Sequence, residues 1–299
     1  MNFADVSPQD RGLAYGDGLF ETVRLAAGRL AWWPEHLARL TVGCRVLGLS
    51  DPCDTDLRQS IDAAVLMSGK TDAVVKLIYT AGAGQRGYRR PDSVQPSLTV
   101  LVDNLPEVNP AWYAHGLVLG VLPVPFAGGM PTLTGLKHLN RLPQVMARTT
   151  WPTGVDECLL QDESGLILGG TQSNFCWLEG DCWFTPPIRG SAIAGTVRGV
   201  LNAHLGVKVV PLAVGRLALA RAAVLTNAVW GVLPVGRIKG NLGGAWAGQM
   251  LELAPARQLA TRWQVLSAAQ DRPDTMPSWT QTAWVSTLQQ EAFLTGVMI

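Results

Sequence analysis

The chain has 299 residues, 47% of them hydrophobic, which is enough for one large domain or two modest ones with substantial cores. Its 24 Lys and Arg residues nearly balance its 23 Asp and Glu residues, so the charge disfavours a polyanionic partner, and we expect no binding to nucleic acid. The five cysteines form no CxxC pair and no metal-ligand spacing with the four histidines, which argues against a metal site and favours reduced thiols.

The first ten residues, MNFADVSPQD, include acidic side chains and lack the apolar segment of a secretory signal. The longest apolar runs, such as GLVLGVLPVPFAGG, are broken by proline and glycine well short of the length of a membrane span. We therefore expect a soluble protein of the cytoplasm that does not interact with membranes.

The next stretch of the chain predicts a hairpin followed by a helix. Residues 18–25 (GLFETVRL) and 29–33 (RLAWW) are rich in strand-forming residues, and Gly28 lies in the turn between them. Pro34 then begins a pattern in which apolar residues recur every three or four positions, as is typical of an amphipathic helix. These apolar residues are Leu37, Leu40, Cys44 and Leu47.

A second helix and a second pair of strands complete this part of the chain. Residues 57–69 (LRQSIDAAVLMSG) read as a helix, and residues 73–82 and 97–105 read as strands. A glycine-bearing loop joins the two strands. The order β-β-α-α-β-β predicts an α+β layer.

A domain boundary is expected at residues 103–112 (DNLPEVNPAW), where prolines and polar residues follow the last of these strands. We expect a small α+β domain over residues 1–108 and a larger domain over residues 109–299. Many short strands and few long helices beyond the boundary predict a β-barrel-like domain. Residues 248–266 and the stretch around Trp284 are predicted to be helical.

One loop of small residues is a candidate anion-binding site. The chain has no GxSxG, P-loop or HExxH motif, but in RGSAIAGTVRGVLNAHLG a small-residue loop ends at Gly195 and Thr196, and a helix follows at once. The free backbone N–H groups at a helix start favour a phosphate. Most helix starts led by glycine bind nothing, so this pattern alone is weak.

Several segments together resemble one known family. They occur in the order, and at about the spacing, of the class IV aminotransferase-like enzymes, which are fold type IV enzymes dependent on pyridoxal 5'-phosphate (PLP). The resemblance covers roughly residues 10–240, and GLKHLNRL and AGAGQRGY are most similar to the aminodeoxychorismate lyase branch. The segments are RGLAYGDGLFETVRL, HLARL, GLKHLNRL, GGTQSNF, AGTVRG and LTNAVWGVLPV.

The resemblance implies a small α/β N-terminal domain, a larger barrel-like C-terminal domain, and PLP bound covalently to Lys137. A lysine attacks an aldehyde only when it is deprotonated, and burial beside neighbours such as His138 and Arg141 lowers a lysine's pKa. The alternative is a surface lysine without a catalytic role. The resemblance implies that the residues that bind PLP are Arg39, Lys137, Gly195, Thr196, Val197, Asn227 and Ala228.

One position departs from the family pattern. Relatives carry a glutamate five residues before the asparagine of their SNxF block, and this carboxylate pairs with the pyridine nitrogen of PLP. Counting back from Asn174 gives Gly169. Without that carboxylate the ring is a poorer electron sink. We expect a transaminase to suffer more from this loss than a lyase, because the lyase forms an aromatic product.

The resemblance also indicates residues that bind the substrate. It implies that Arg86, in the loop after the third strand, binds a substrate carboxylate, and Asn140 and Arg141 are further candidates. Ala81 replaces an arginine that the lyase branch carries in that loop. Four alternatives stay open: Arg86 as a hairpin tip, Asn227 as a turn residue, Glu21 on an exposed face of its strand, and Thr196 as a helix cap. The pair Asp156 and Glu157 is interpreted as structural.

The favoured interpretation is a PLP-dependent lyase that converts 4-amino-4-deoxychorismate to 4-aminobenzoate and pyruvate for folate synthesis, acting as a homodimer. Two alternatives keep the fold: a D- or branched-chain amino acid transaminase, and a PLP-binding relative whose activity was lost or altered with the change at Gly169. A third alternative is a binding module outside the family.

Overall fold

The computed structural model describes residues 6–122, 130–240 and 246–270, so the helix predicted around Trp284 lies outside the described residues. The described chain forms two compact units. Unit 1 comprises the chain as far as Pro106 together with the segment Leu136–Arg141. Unit 2 comprises the described residues within Glu107–Gly135 and those from Leu142 to residue 270. The expected domain ranges did not assign Leu136–Arg141 to the N-terminal unit.

Unit 1 contains a four-stranded antiparallel sheet and three helices. In chain order its elements are α1 (Arg11–Tyr15), β1 (Gly18–Ala26), β2 (Arg29–Leu30), α2 (Trp33–Leu47), α3 (Asp54–Ser68), β3 (Ala73–Thr80) and β4 (Ser97–Asp103). The strands lie in the order β2-β1-β3-β4. Helix α2 packs against β1, and α3 packs against β4.

The predicted hairpin is confirmed, although its second strand is shorter than expected. Ala27 (φ 49°) and Gly28 (φ 77°) both adopt the left-handed region, as a two-residue hairpin turn requires. The second strand ends at Leu30 instead of residue 33. Trp32 has a φ of 54°, which ends the extended backbone and starts α2 one residue before Pro34.

Helix α2 approaches β1 closely because Gly43 faces the strand. A Cβ atom at Gly43 would lie 2.8 Å from the Leu19 side chain, so a larger residue would push the two elements apart. The residues of β1 alternate in burial along the strand. Leu19, Glu21 and Val23 lie on the buried face towards α2, whereas Phe20 lies on the opposite, partly exposed face.

The segment Leu136–Arg141 adds a short extended stretch to the edge of β1. Phe20 N–H donates to the Lys137 carbonyl at 2.8 Å, and Leu139 N–H donates to the Gly18 carbonyl at 3.0 Å. Leu19 and His138 form the antiparallel bridge between these bonds. Strand β2 pairs only with the far end of β1, so the edge beside Leu19 is available to this segment.

Unit 2 is built on an eight-stranded mixed sheet. In chain order its elements are α4 (Pro110–His115), β5 (Leu117–Val121), α5 (Leu142–Thr149), β6 (Glu157–Gln161), β7 (Ile167–Gly170), β8 (Asn174–Glu179), β9 (Cys182–Thr185), α6 (Thr196–Leu205), β10 (Lys208–Val209), β11 (Ala222–Asn227), β12 (Gly231–Lys239) and α7 (Leu253–Ala269). The strand order is β10-β9-β8-β11-β12-β5-β6-β7. Helix α7 confirms the helix predicted in this region, but it begins at Leu253 instead of residue 248 and ends at Ala269 instead of residue 266.

The sheet of unit 2 curls, because β7, at one end of the strand order, also contacts β8 near the other end. Phe175, Trp177, Leu225 and Leu233 are fully buried in its core. The expected α+β class with a barrel-like second part is confirmed. Among the described helices, none combines the length and the apolar character that crossing a bilayer requires.

Candidate active site

Lys137 lies beside a buried charged cluster in unit 1. Its Nζ is 4.3 Å from the centre of the Phe20 ring, and its side chain is half-buried. The backbone of Lys137 is held to β1 by the bond from Phe20 N–H. The alternative of a surface lysine without a catalytic role does not describe this partly buried environment.

The charged cluster consists of Glu21, His36 and Arg39, all of which are buried. Arg39 makes a two-pronged ion pair with Glu21, with Nε to Oε1 at 2.8 Å and Nη2 to Oε2 at 2.5 Å. His36 Nδ1 is 2.7 Å from Glu21 Oε2. Because an ionised carboxylate can only accept, His36 carries the proton at Nδ1. Glu21 is therefore not on an exposed face of its strand, which was the alternative left open by the sequence.

The pKa values of this cluster follow from burial opposed by neighbouring charges. Burial alone would raise the pKa of Glu21, but the charge of Arg39 and the hydrogen bonds from Arg39 and His36 lower it to about 2. Burial lowers the pKa of His36, and the Glu21 carboxylate only partly offsets this effect. At neutral pH, Glu21 is therefore charged and His36 is neutral.

The pKa of Lys137 is lowered to about 7. Burial is the largest cause, the charges of Arg39, Arg141 and Lys76 act in the same direction, and Glu21 opposes them. About half of the Lys137 side chains are then neutral at pH 7, whereas an ordinary lysine is almost wholly charged. A neutral amine at this position can attack an aldehyde and can accept a proton.

Arg141 and Asn140 hold the backbone around Lys137. Arg141 Nε donates to the His138 carbonyl and Nη2 to the Leu136 carbonyl, each at 2.9 Å. Asn140 Nδ2 donates to the Gly16 carbonyl at 2.9 Å. These bonds fix the lysine segment. The assignment of both residues to substrate binding stays a prediction.

The start of α6 lies in unit 2 and is shaped by Asn174. Gly195 is the residue before the helix, and a Cβ atom there would lie 1.9 Å from Asn174 Oδ1, so no larger residue fits. Asn174 Nδ2 donates to the Ile193 carbonyl at 2.9 Å. No side chain caps the helix, so Thr196 does not act as a cap, and the first-turn N–H groups of Thr196 and Val197 are available to an anion.

Two further residues lie on the strand next to β8. Thr226 pairs with Asn174 across the strands, and its hydroxyl is buried without a hydrogen-bond partner among the described residues. Asn227 Oδ1 accepts hydrogen bonds from the N–H groups of Val229 and Trp230 at 2.9 Å and 3.0 Å. The Asn227 side chain thus forms the β11–β12 turn, in agreement with its alternative reading. Binding of phosphate at Asn227 and Ala228 stays a prediction.

Gly169 adopts a backbone conformation that favours glycine over any residue with a side chain. Its φ of 136° is one that residues with a side chain rarely adopt, and a Cβ atom there would lie 3.0 Å from the Ser173 carbonyl oxygen. Its neighbour Gly170 is equally crowded, because a Cβ atom would lie 2.3 Å from Ser173 Oγ. The backbone of β7 is built around glycine at this point, so glutamate would be strained here.

Glu157 is buried beside Gly170 and has a structural environment. Its Oε1 accepts hydrogen bonds from Cys158 N–H at 3.0 Å and from the Thr171 hydroxyl at 2.8 Å. Arg148 Nη2 lies 3.4 Å from Oε2. These contacts agree with the interpretation of Glu157 as structural.

The loop that carries Arg86 is held in place by a residue that the sequence analysis missed. Arg11 is buried, donates to the carbonyl oxygens of Gly87 at 3.0 Å and Tyr88 at 2.8 Å, and pairs with Asp17 at 2.8 Å. Arg86 itself is exposed and has no hydrogen bond or ion pair within the described residues. Its assignment to a substrate carboxylate stays a prediction.

Other residues of the site were also missed. His36 precedes Arg39 by three positions, so the spacing alone placed both side chains on one face of the predicted helix. Phe20 follows from the alternation of β1 once Glu21 is known to be buried. No signal in the sequence indicated Lys76. Within the described ranges, no three potential metal ligands come together.

Unit 1 contains a side chain that can react with an aldehyde, and unit 2 contains a backbone feature that can bind a phosphate. In unit 1, Lys137 supplies an amine with a pKa of about 7. In unit 2, the start of α6 has no side-chain cap, and the Thr226 hydroxyl has no hydrogen-bond partner among the described residues. An aldehyde reacts with the neutral amine, and a phosphate binds to the free N–H groups of the helix start. The described residues do not offer a carboxylate at position 169.

Comparisons with known proteins agree with this geometry. The model of the family "Amino-transferase class IV" matches residues 18–238. The chain is 29% identical to an aminodeoxychorismate lyase of Vibrio harveyi over 77% of the chain and 86% of the relative. It is 28% identical to a putative branched-chain-amino-acid aminotransferase of Methanocaldococcus jannaschii, over 80% and 84%. A crystal structure of 4-amino-4-deoxychorismate lyase from Pseudomonas aeruginosa is similar with 34% identity and a TM-score of 0.76, covering 91% of this chain and 97% of that one.

Proposed function

The chain belongs to the class IV amino-transferase family, and from that membership we propose that it is a PLP-dependent lyase. It converts 4-amino-4-deoxychorismate to 4-aminobenzoate and pyruvate, as the names of similar proteins from Vibrio harveyi and Pseudomonas aeruginosa indicate. The single observation that carries the proposal is the Lys137 amine with a pKa of about 7 beside the Glu21–Arg39 ion pair.

PLP is the cofactor that the residues fit. When bound, it withdraws electrons from the carbon that carries the substrate nitrogen and so makes the C–H bond there acidic. Lys137 would hold its aldehyde end. Arg39 and the N–H groups of Thr196 and Val197 would hold its phosphate, as the family resemblance implies.

The chain's own residues then handle the protons. With the substrate amine bound, the Lys137 Nζ would accept the proton from the ring carbon beside the nitrogen. The bond between the neighbouring ring carbon and the ether oxygen would break, and enolpyruvate would leave with that oxygen. The protonated Nζ would then donate its proton to the methylene carbon of enolpyruvate, which gives pyruvate. The cyclohexadiene thus loses one proton and one enolpyruvate anion and becomes aromatic, and the proton returns to enolpyruvate, so the atoms balance. Glu21 keeps its charge throughout and limits how far the pKa of Lys137 falls.

Gly169 favours the lyase over the transaminase. A transaminase depends fully on the electron-withdrawing ring, whereas the lyase gains aromatic stabilisation in its product. The φ of 136° at Gly169 supports this choice, because a glutamate could occupy this position only if the local backbone rearranged. The transaminase stays the second candidate because of the similarity to the Methanocaldococcus jannaschii protein.

The test has two parts. PLP is added to the purified protein, borohydride reduction fixes any bound cofactor, and peptide mapping identifies the modified residue, which we expect to be Lys137. The formation of 4-aminobenzoate and pyruvate from 4-amino-4-deoxychorismate is then measured for the wild type and for Lys137→Ala, which should be inactive. Conversion of bound PLP to its pyridoxamine form by D-alanine or a branched-chain amino acid, without lyase turnover, would favour the transaminase. A bound cofactor with neither reaction would favour the relative with lost activity.

We also propose that the protein acts in folate biosynthesis in the cytoplasm and forms a homodimer. The proposed formation of 4-aminobenzoate supports the first part, and the family resemblance noted in the sequence motivates the second. Sedimentation equilibrium of the purified protein tests the dimer, and growth of a strain lacking the gene with and without 4-aminobenzoate tests the pathway.

A further inference from the structure

Lys76 occupies an unusual position in the sheet of unit 1. It lies on β3, which is flanked by β1 and β4, and it pairs with Thr22 on one side and Leu101 on the other. Lysine is depleted in strands, and a central strand offers its charge no route around the edge of the sheet. The Lys76 side chain is nevertheless only partly buried, because this face of the sheet is the one opposite α2.

Lys76 shares an aromatic ring with Lys137. The Nζ atoms of Lys76 and Lys137 lie 5.5 Å and 4.3 Å from the centre of the Phe20 ring. Attraction to a ring face holds each ammonium weakly. Two positive groups around one ring also repel each other, and Lys76 is one of the charges that lower the pKa of Lys137. If the positive charge had no function here, an apolar residue at this position would be more favourable for stability.

No carboxylate of the described chain neutralises Lys76. Glu21 lies on the opposite face of β1 and is already paired with Arg39. Asp103 lies on the same face of the sheet, two residues from Leu101 along β4, and forms no ion pair with Lys76. Among the described residues, the positive charge on this partly exposed face is therefore not compensated by a carboxylate.

The other cations that act on Lys137 are engaged elsewhere. Arg39 pairs with Glu21 through Nε and Nη2 and is assigned to the phosphate in the proposed function, and Arg141 donates to the carbonyl groups of Leu136 and His138. Lys76 is different, since within the described residues its ammonium has no hydrogen bond. An anion that approaches the amine of Lys137 along this face can therefore accept hydrogen bonds from the Lys76 ammonium.

We propose that Lys76 binds a carboxylate of the substrate and thereby gives the site its preference for an anionic amine. The inference rests on the proposed function, which supplies a substrate with two carboxylates. One of them remains in 4-aminobenzoate after the reaction, and the other leaves in pyruvate. Lys76 is a substrate-binding residue in this scheme and takes no part in proton transfer.

The experiment compares three variants of the PLP-loaded protein. Lys76→Met keeps the apolar stem and removes the charge, Lys76→Arg keeps the charge, and Lys70→Met removes a charge from the turn after α3 as the matched control. Affinities for 4-aminobenzoate and for pyruvate are measured by calorimetry, and KM and kcat are measured for 4-amino-4-deoxychorismate. The pKa of Lys137 is measured in the cofactor-free protein by the pH dependence of amine labelling.

We expect Lys76→Met to weaken binding of one of the two products about tenfold or more and to raise KM by a similar factor, with a smaller change in kcat. The product that loses affinity identifies the carboxylate that Lys76 holds. Lys76→Arg should recover most of the loss, and Lys70→Met should behave as the wild type. In Lys76→Met the pKa of Lys137 should rise, because a like charge has been removed.

Equal affinities of the wild type and Lys76→Met for both products overturn the inference, even if the pKa of Lys137 rises. A loss that Lys76→Arg does not recover, accompanied by loss of PLP absorbance, shows a purely structural role and also overturns it. Product binding does not require turnover, so the two proposals fail separately. A wild type that binds either product but shows no lyase turnover contradicts the proposed function alone, whereas a wild type that binds neither product contradicts the inference.

Discussion

Replacing Glu21 by glutamine removes the only carboxylate of the buried cluster and leaves Arg39 without its counter-charge. The change preserves the shape of the side chain, so its effect is electrostatic. The pKa of Glu21 falls from 4.5 to about 2 in the folded protein, because the charge of Arg39 and the bonds from Arg39 and His36 outweigh the effect of burial. Each pKa unit corresponds to about 1.4 kcal/mol, so this difference in pKa contributes about 3 kcal/mol to the folding free energy.

The sign of the pH dependence follows from the direction of this pKa change. Because the pKa is lower in the folded than in the unfolded chain, the stabilisation is complete above pH 4.5 and is lost as the pH falls towards 2. Loss of one partner from a buried ion pair costs about 3 to 5 kcal/mol, which agrees with the value above. We therefore expect Glu21→Gln to lower the free energy of unfolding by about 3 kcal/mol at pH 7 and by much less near pH 2.

Urea unfolding of the cofactor-free protein at several pH values measures this difference. Glu163→Gln is the matched control, because Glu163 is exposed and its loss should change the free energy of unfolding by no more than about 0.5 kcal/mol. The same preparations report on Lys137 by amine labelling, and the pKa of Lys137 should fall below 7 in Glu21→Gln because Glu21 raises it. Equal stability of the two variants at pH 7, or a loss that does not depend on pH, would refute the reasoning.

Three other predictions concern different parts of the site. The rate at which the cofactor-free protein takes up PLP should fall about tenfold for each pH unit below 7 and level off above it, because only neutral Lys137 reacts. Gly169→Glu should lower the free energy of unfolding by about 1 to 3 kcal/mol and should not produce a competent transaminase, because the backbone at this position is strained for any side chain. Arg11→Ala should speed cleavage by trypsin after Arg86, because the loop loses the donors that hold its carbonyl groups.

Each of these predictions has a control and a contradicting result. For PLP uptake, a profile that is flat between pH 5 and pH 8 would show that Lys137 has an ordinary environment. Gly169→Ala carries the strain without the carboxylate, so a stable Gly169→Glu beside an unstable Gly169→Ala would be inconsistent with the steric argument. For the loop, Arg29→Ala removes an exposed arginine outside it, and equal cleavage after Arg86 in both variants would contradict the role of Arg11.

The local elements of unit 1 were predictable from the sequence. Gly28 lies where a two-residue hairpin turn needs a positive φ, and the spacing of Leu40 and Cys44 indicated the helix that packs on the sheet. Both are short-range effects, because turn geometry and helical periodicity depend on residues within a few positions of each other. The second strand of the hairpin was predicted too long, since alternation of residues does not reveal where a backbone such as that of Trp32 turns.

The candidate site was predictable only in part. The identity of Lys137 and Arg39 as site residues rested on resemblance to a family. The ion pair between Glu21 and Arg39 links residues 18 positions apart on a strand and a helix, and only the packing of α2 on β1 around Gly43 brings them together. The sequence left open whether Glu21 is buried or exposed, because alternation along a strand does not show which face packs against the rest of the protein.

The sequence by itself determined the types of chemistry available: one lysine in a glycine-flanked segment, a helix start that follows a loop of small residues, and no carboxylate at Gly169. Only the tertiary structure decided that the pKa of this lysine falls to about 7, because the pKa depends on burial and on charges contributed by separate segments of unit 1, those of Arg39, Glu21, Arg141 and Lys76. Tertiary structure also decided that Gly169 is required by its backbone and that Lys76 shares the ring of Phe20 with Lys137. Composition and spacing report what a chain contains, whereas distances through space set the strength of electrostatic interactions.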